Sequence, residues 1–364
     1  MAGGAAETGA IARRRLLAQR VLRTAFTSPE QVVAWLGAVQ AQDYLGALWA
    51  VGLRMKAGTE ASVEAALAER RIVRTWPMRG TLHFVAADDA RWMTELLAGR
   101  PAARAAGRLR SFGIDEAVLR RARRVLEKRL AGGAPMTRPA AYRALEEAGI
   151  ASGEQRGLHV LWRLAQDCVV CFGPRDGKQH TFVLFDEWLP RARSMPREEA
   201  LGTLAERYFT SHGPATLADF VWWSGLTVTD ARRAIAIAGS RIRGLALDGA
   251  PAVHWVEGGA APRLGAGGAV HLLPSFDEML VGYTDRGASV DAAVARRVIA
   301  GGIFLPVVVA DGRVVGTWRR RTGRGAVACS TVPFVTWSQA TRQAVRRATE
   351  RYARFLGVEL RAGE

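Results

Sequence analysis

Val39-Gln40-Ala41-Gln42-Asp43-Tyr44 places two amides on either side of one small apolar residue, directly after a helical run. Glutamine is no general base near neutral pH, but its carbonyl accepts from water and its NH2 donates. Such a pair suits a reaction whose leaving group is already activated and which needs only a water held in place. On a helix, Gln40 and Gln42 would diverge by about 200°. On extended backbone they share a face. Joint action therefore requires the preceding helix to end near Ala38. Taken alone, the spacing favours a polar helix end, with one amide capping and the other solvated.

Other chemistry is poorly supported. Cys168-Val169-Val170-Cys171 is a lone C-x-x-C with no second pair at zinc spacing, so it reads as two buried apolar thiols and no metal is expected. His83, His159, His180, His212, His254 and His271 are scattered without a metal-binding repeat. No phosphate-binding glycine loop or nucleophile elbow occurs, and no cofactor is expected. Asp277-Glu278 is an adjacent acid pair, which on a regular element diverges and more often marks a cap.

The elements that must carry the Gln pair alternate between short helices and strand pairs. Ile11 to Leu22 reads as a basic helix, preceded by a disordered leader over 1–10 with no signal-peptide pattern. Ser28-Pro29-Glu30-Gln31 is an N-cap with Pro at the first helical position, and Ser62 to Ala68 is a third helix. Ile72–Trp76 and Thr81–Val85 then form a hairpin around Pro77-Met78-Arg79-Gly80. This is the order of a winged helix-turn-helix.

It recurs with helices at Asp115–Leu130, Arg138–Ala148 and Leu158–Gln166, then strands at Cys168–Gly173 and Gln179–Leu184. It recurs again with helices at Glu198–His212, Thr216–Trp223 and Thr229–Ala238, then strands near Leu245–Leu247 and Ala252–Val256. Gly258 to Ala269 is loop-like. Strands at Phe304–Val309, Arg313–Arg319 and Ala326–Ser330 and a helix at Trp337–Leu356 close the chain, with Ala310-Asp311-Gly312 as a positive-φ turn. The expected class is α+β. It comprises three tandem winged-helix units (11–110, 111–195, 196–285), then a β-rich segment and closing helix (286–364), around a concave DNA-binding channel.

A chain of 364 residues with 51 Lys+Arg against 34 Asp+Glu carries a net charge of +17, and only three of those cations are lysine. Arginine over lysine reflects genome composition, but the net excess does not. A field of this sign attracts polyanions, nucleic acid first. No apolar run reaches bilayer length, and three cysteines make no disulfide framework. A cytoplasmic, monomeric protein is expected.

Five segments in order resemble the winged-helix DNA glycosylases of the AlkZ/YcaQ-like superfamily. They are Val39–Tyr44, Arg79-Gly80-Thr81-Leu82-His83, Trp222-Trp223-Ser224-Gly225-Leu226, Leu273-Pro274-Ser275-Phe276-Asp277-Glu278, and Asp311 to Trp318. The resemblance runs from about Ile11 to Leu356. It implies excision of N7-alkylated guanines, including bulky or interstrand-crosslinked ones, from double-stranded DNA. It further implies a Gln-apolar-Gln catalytic motif, here Gln40-Ala41-Gln42, and a role in repair or in self-resistance to a genotoxic metabolite. Asp43 is the nearest proton acceptor in sequence. Arg79, Thr81 and His83 on the first wing, with Arg286, Arg319 and Arg320, are the candidate DNA contacts. Two rival readings are a non-catalytic winged-helix transcriptional regulator and a module that sequesters a DNA-damaging metabolite.

Overall fold

The computed structural model describes residues 2–246, 252–259 and 263–361, with helix and strand interleaved throughout, so the mixed α+β expectation holds. Leu247 and the middle of the Gly258–Ala269 loop lie outside the described residues. Two compact units emerge. One comprises Met1–Glu64, Leu201–Trp223 and Thr227–Glu364; the other comprises Ala65–Ala200 with Ser224–Leu226. This division parts the expected 11–110 segment between Glu64 and Ala65. Among the described residues no helix is long and apolar enough to cross a membrane.

In the Ala65–Ala200 unit, the helix Glu116–Leu130 is capped by the Asp115 carboxylate, which accepts from Val118 N at 2.8 Å. Its Leu119, Ala122, Leu126 and Leu130 recur at helical spacing and are buried. They join Ala141 and Leu145 of helix Arg138–Glu147 and Val160, Leu161 and Leu164 of helix Arg156–Gln166 in one core. Full burial of each leucine contributes roughly 1.5–3 kcal/mol. The strands Met136–Thr137, Val170–Phe172 and Thr181–Leu184 form an antiparallel sheet with the last strand in the middle.

The hairpin Ile72–Met78/Thr81–Ala86 keeps the expected strands, but its turn shrinks to Arg79-Gly80, both at positive φ (53° and 75°). Pro77 stays in the strand at a register shift between Thr75 and Met78, where a missing N–H is tolerated. Helices Ala90–Leu97 and Gly99–Ser111 were not expected.

In the other unit the first helix runs Ala2–Ala18 instead of Ile11–Leu22, so the leader expected over 1–10 is helical from residue 2. Ala2, Ala5, Ala6 and Ala10 favour this upstream extension, and Gly3, Gly4 and Gly9 oppose it. Arg20, at φ 59°, follows its end. Helix Pro29–Leu36 starts as expected, with the Gln31 carbonyl accepting from Thr27 N and Ser28 N.

Helices Arg197–His212, Leu217–Ser224 and Val228–Ala238 are interleaved along the chain with the short strands Ala215–Thr216, Ile242–Leu245 and His254–Glu257. These strands repeat the first–third–second sheet order. The same succession of helix, strand, two helices and two strands runs from Pro29 to Ala86. The C-terminal sheet orders Val270–Leu273, Val307–Ala310, Arg313–Gly323, Ala326–Pro333 and Glu359–Arg361 side by side. Pro306 splits the expected strand Phe304–Val309 into Ile303–Phe304 and Val307–Ala310. Helix Gln339–Leu356 inserts Tyr352 and Phe355 against Trp49, with ring centroids 5.1 and 5.0 Å away.

Candidate active site

The helix Pro29–Leu36 stops at Gly37, whose φ of 80° an L side chain resists. A Cβ there would also lie 3.3 Å from the Trp223 indole. Val39–Gln40 is extended, as joint action of the two amides demands. Val39 and Ala41 are fully buried, whereas Gln40 and Gln42 turn the other way, Gln40 nearly buried and Gln42 exposed. That alternation gives Ala41 a packing role. Gln40 Nε2 donates to Gln42 Oε1 at 2.6 Å. The two side chains thus form one amide patch at the edge of solvent.

Beneath the patch lies a carboxylate that sequence reasoning set aside. Gln40 N donates to Glu278 Oε1 at 3.2 Å. Glu278 is wholly buried, and its Oε2 accepts from Trp223 Nε1 at 3.0 Å and from His212 Nε2 at 3.2 Å. His212 is held in turn by Ser211 Oγ at its Nδ1 (2.8 Å) and by stacking on Tyr208 at 4.7 Å. Its neighbour Asp277 does act as a cap, accepting from Met279 N. Asp277 also takes both arms of Arg54 at 2.9 and 3.0 Å, each residue at zero exposure. Arg54 places its remaining donors on Gln19 O, Gln19 Oε1 and Ala50 O, so its guanidinium is saturated. The sequence signals for this cluster were the acid pair itself and the two resembling segments that contain Trp223 and Glu278.

Most of the other expected site residues have partners of their own. Asp43 is the N-cap of helix Tyr44–Gly52, its Oδ1 accepting from Gly46 N at 3.1 Å. Arg320 reaches Asp43 at 3.8 Å and donates to Tyr352 Oη at 2.9 Å, so one candidate DNA contact borders the amide patch through Asp43. Arg319 is exposed on the same strand. Arg286 spends its Nε and Nη1 on Leu280 O and Thr284 O and lies over Trp222 and Phe304, a bracing role.

Arg79, Thr81 and His83 belong to the other unit. His83 is buried, with Nδ1 on Thr81 O at 2.9 Å and Nε2 accepting from Arg79 at 3.1 Å. Burial and the Arg79 charge push its pKa well below the usual value, so it is a neutral anchor for Arg79. Cys168 and Cys171 are free and buried; burial drives the Cys168 thiol up to about 12 and raises Cys171 further. Among the described residues no three or more His, Cys, Asp or Glu side chains gather as a metal site would need.

Known proteins match this chain over most of its length. The family model of the AlkZ-like DNA glycosylases matches residues 33–355. An interstrand DNA cross-link repair glycosylase of Streptomyces sahachiroi is 30% identical over 356 residues, covering 91% of each chain. The solved structure of Streptomyces sahachiroi DNA glycosylase AlkZ superposes with a TM-score of 0.78 at 25% identity, covering 97% of this chain and 98% of that one. With a family model spanning the amide patch, the buried acid and the closing helix, the chain belongs to the AlkZ-like DNA glycosylase family.

Proposed function

We propose that this glycosylase hydrolyses the N-glycosidic bond of N7-alkylated guanine in double-stranded DNA, including bulky adducts and interstrand crosslinks, with Gln40 and Gln42 as its catalytic residues. The observation that carries the reading is the 2.6 Å pairing of two amides on extended backbone at the edge of solvent. Alkylation at N7 leaves guanine cationic, so the C1′–N9 bond breaks with its electron pair going to the base and neutralising that charge. Little proton delivery to the leaving group is needed. Water oxygen then bonds to C1′ and its proton passes to solvent.

Neutral amides suit this sequence. Their carbonyl dipoles can face an oxocarbenium-like sugar, and a fixed amide can hold the water in line. Gln42, the exposed partner, is assigned the water. Gln40, fixed from below, is assigned positioning of Gln42 and the sugar. Asp43 is less suited to collect the proton, because Gly46 N and Arg320 already engage its carboxylate.

Three stretches with the same succession of helices and strands support a tandem winged-helix reading, and the net charge of +17 supports affinity for a DNA backbone. The Streptomyces sahachiroi relative, named for cross-link repair, supports the crosslink substrate, and self-resistance to a DNA-alkylating metabolite fits that relationship. The protein is proposed to act as a cytoplasmic monomer. The test is incubation with duplexes carrying N7-methylguanine, a nitrogen-mustard crosslink or a bulky natural-product adduct, scored for abasic sites. Release from N7-methylguanine and from at least one larger lesion is expected. Absence of abasic sites on all three would overturn the assignment.

A further inference from the structure

We propose that Glu278 is a positioning residue for Gln40, and that Trp223 and His212 exist in the site to hold it there. The inference rests on the catalytic reading of the Gln pair. An ionised carboxylate at zero exposure is costly to keep unless every oxygen is bonded. Both oxygens are bonded here, and the partners are divided: Oε1 takes the Gln40 peptide N–H, Oε2 takes the indole and the imidazole.

The acid is also fixed from its own side. It opens the four-residue helix Glu278–Val281, whose start is locked by Asp277 on Met279 N and on Arg54. Tyr283 Oη ties the His212 carbonyl to the segment following that helix at 2.7 Å. Trp223 does double duty, since the same indole packs on Gly37 where the preceding helix stops. The extended segment bearing the amides is thus gripped at Gly37 by packing and at Gln40 by a carboxylate. Removing the acid releases the Gln40 peptide and with it the 2.6 Å alignment with Gln42. Misplacement of a catalytic group by about 1 Å costs on the order of 100-fold in rate.

The experiment is single-turnover release of N7-methylguanine by the full chain carrying Glu278→Ala, Glu278→Gln, Gln40→Ala, and each Glu278 variant combined with Gln40→Ala. Amide hydrogen exchange at Gln40 is read in parallel. Glu278→Ala should slow release by about 10- to 100-fold, with duplex affinity unchanged, and Gln40 exchange should accelerate. Glu278→Gln, which keeps an acceptor oxygen, should restore most of the rate. Because Glu278 acts through Gln40, the combined variants should be no slower than Gln40→Ala alone.

Multiplicative losses in the combined variants, or unchanged Gln40 exchange in Glu278→Ala, would overturn the proposal. If Glu278→Ala does not fold, Glu278→Gln, its combination with Gln40→Ala, and Trp223→Phe carry the same comparison. Should Gln40→Ala itself release the base at the normal rate, the catalytic reading fails, and the positioning role falls with it. A failure of positioning alone leaves Gln40→Ala inactive.

Discussion

Two buried histidines, one in each compact unit, face opposite partners. His212 lies against the Glu278 carboxylate, with the Gln40 peptide N–H on the other oxygen. His83 lies against Arg79, accepts from it, and is held neutral by burial and that charge. The same side chain thus serves as a donor that fixes an acid beneath the amide patch in one unit. In the other it is an acceptor that fixes a cation on a tight turn. The unit that holds Glu278 also buries two ion pairs, Arg54–Asp277 and Arg15–Asp219, whereas the Arg129–Glu147 pair of the Ala65–Ala200 unit lies in solvent.

The largest effect that could break this contrast is in the buried ion pair. Arg54→Met should destabilise the protein by about 3–5 kcal/mol, because it strands the Asp277 charge. Arg129→Ala should change stability by under about 1 kcal/mol. Denaturant midpoints for the two variants check this directly. Similar losses would show that the two kinds of charge are energetically alike.

A smaller effect follows from the neutral histidines. Burial lowers His83 well below its usual pKa and takes His271 down to about 4. A depressed folded pKa means that the unfolded chain binds the proton first. Stability should therefore be full above about pH 6.5 and fall as pH drops toward the folded values, by about 1.4 kcal/mol per unit for each group. His83→Gln, which keeps an acceptor for Arg79, should flatten the slope between pH 6.5 and 5 in equilibrium unfolding. An unchanged slope would remove His83 as its source.

The chain displays some of this openly. The Gln pair could be read because its geometry is local: two residues apart, after a helix, with an apolar residue between. The helices Glu116–Leu130 and Arg156–Gln166 could be read because one face of each is apolar. Tyr44–Gly52 escaped because it is apolar nearly all round and buried from Gly46 to Gly52, so it lacks the periodicity that marks a half-exposed helix. Glu278 escaped for a different reason. Its partner is 238 residues away, and adjacent acids look alike whether one caps a helix or both do. Only the fold separates Asp277, the cap and arginine ligand, from Glu278, the support of Gln40.

The central claim is that two neutral amides on one extended segment perform the hydrolysis. The most direct measurement is single-turnover release of N7-methylguanine from duplex DNA by wild type, Gln40→Ala and Gln42→Ala, with duplex affinity measured alongside. The account predicts that each variant loses on the order of 10²- to 10³-fold in rate and binds DNA as wild type does. Normal release by both variants would contradict it.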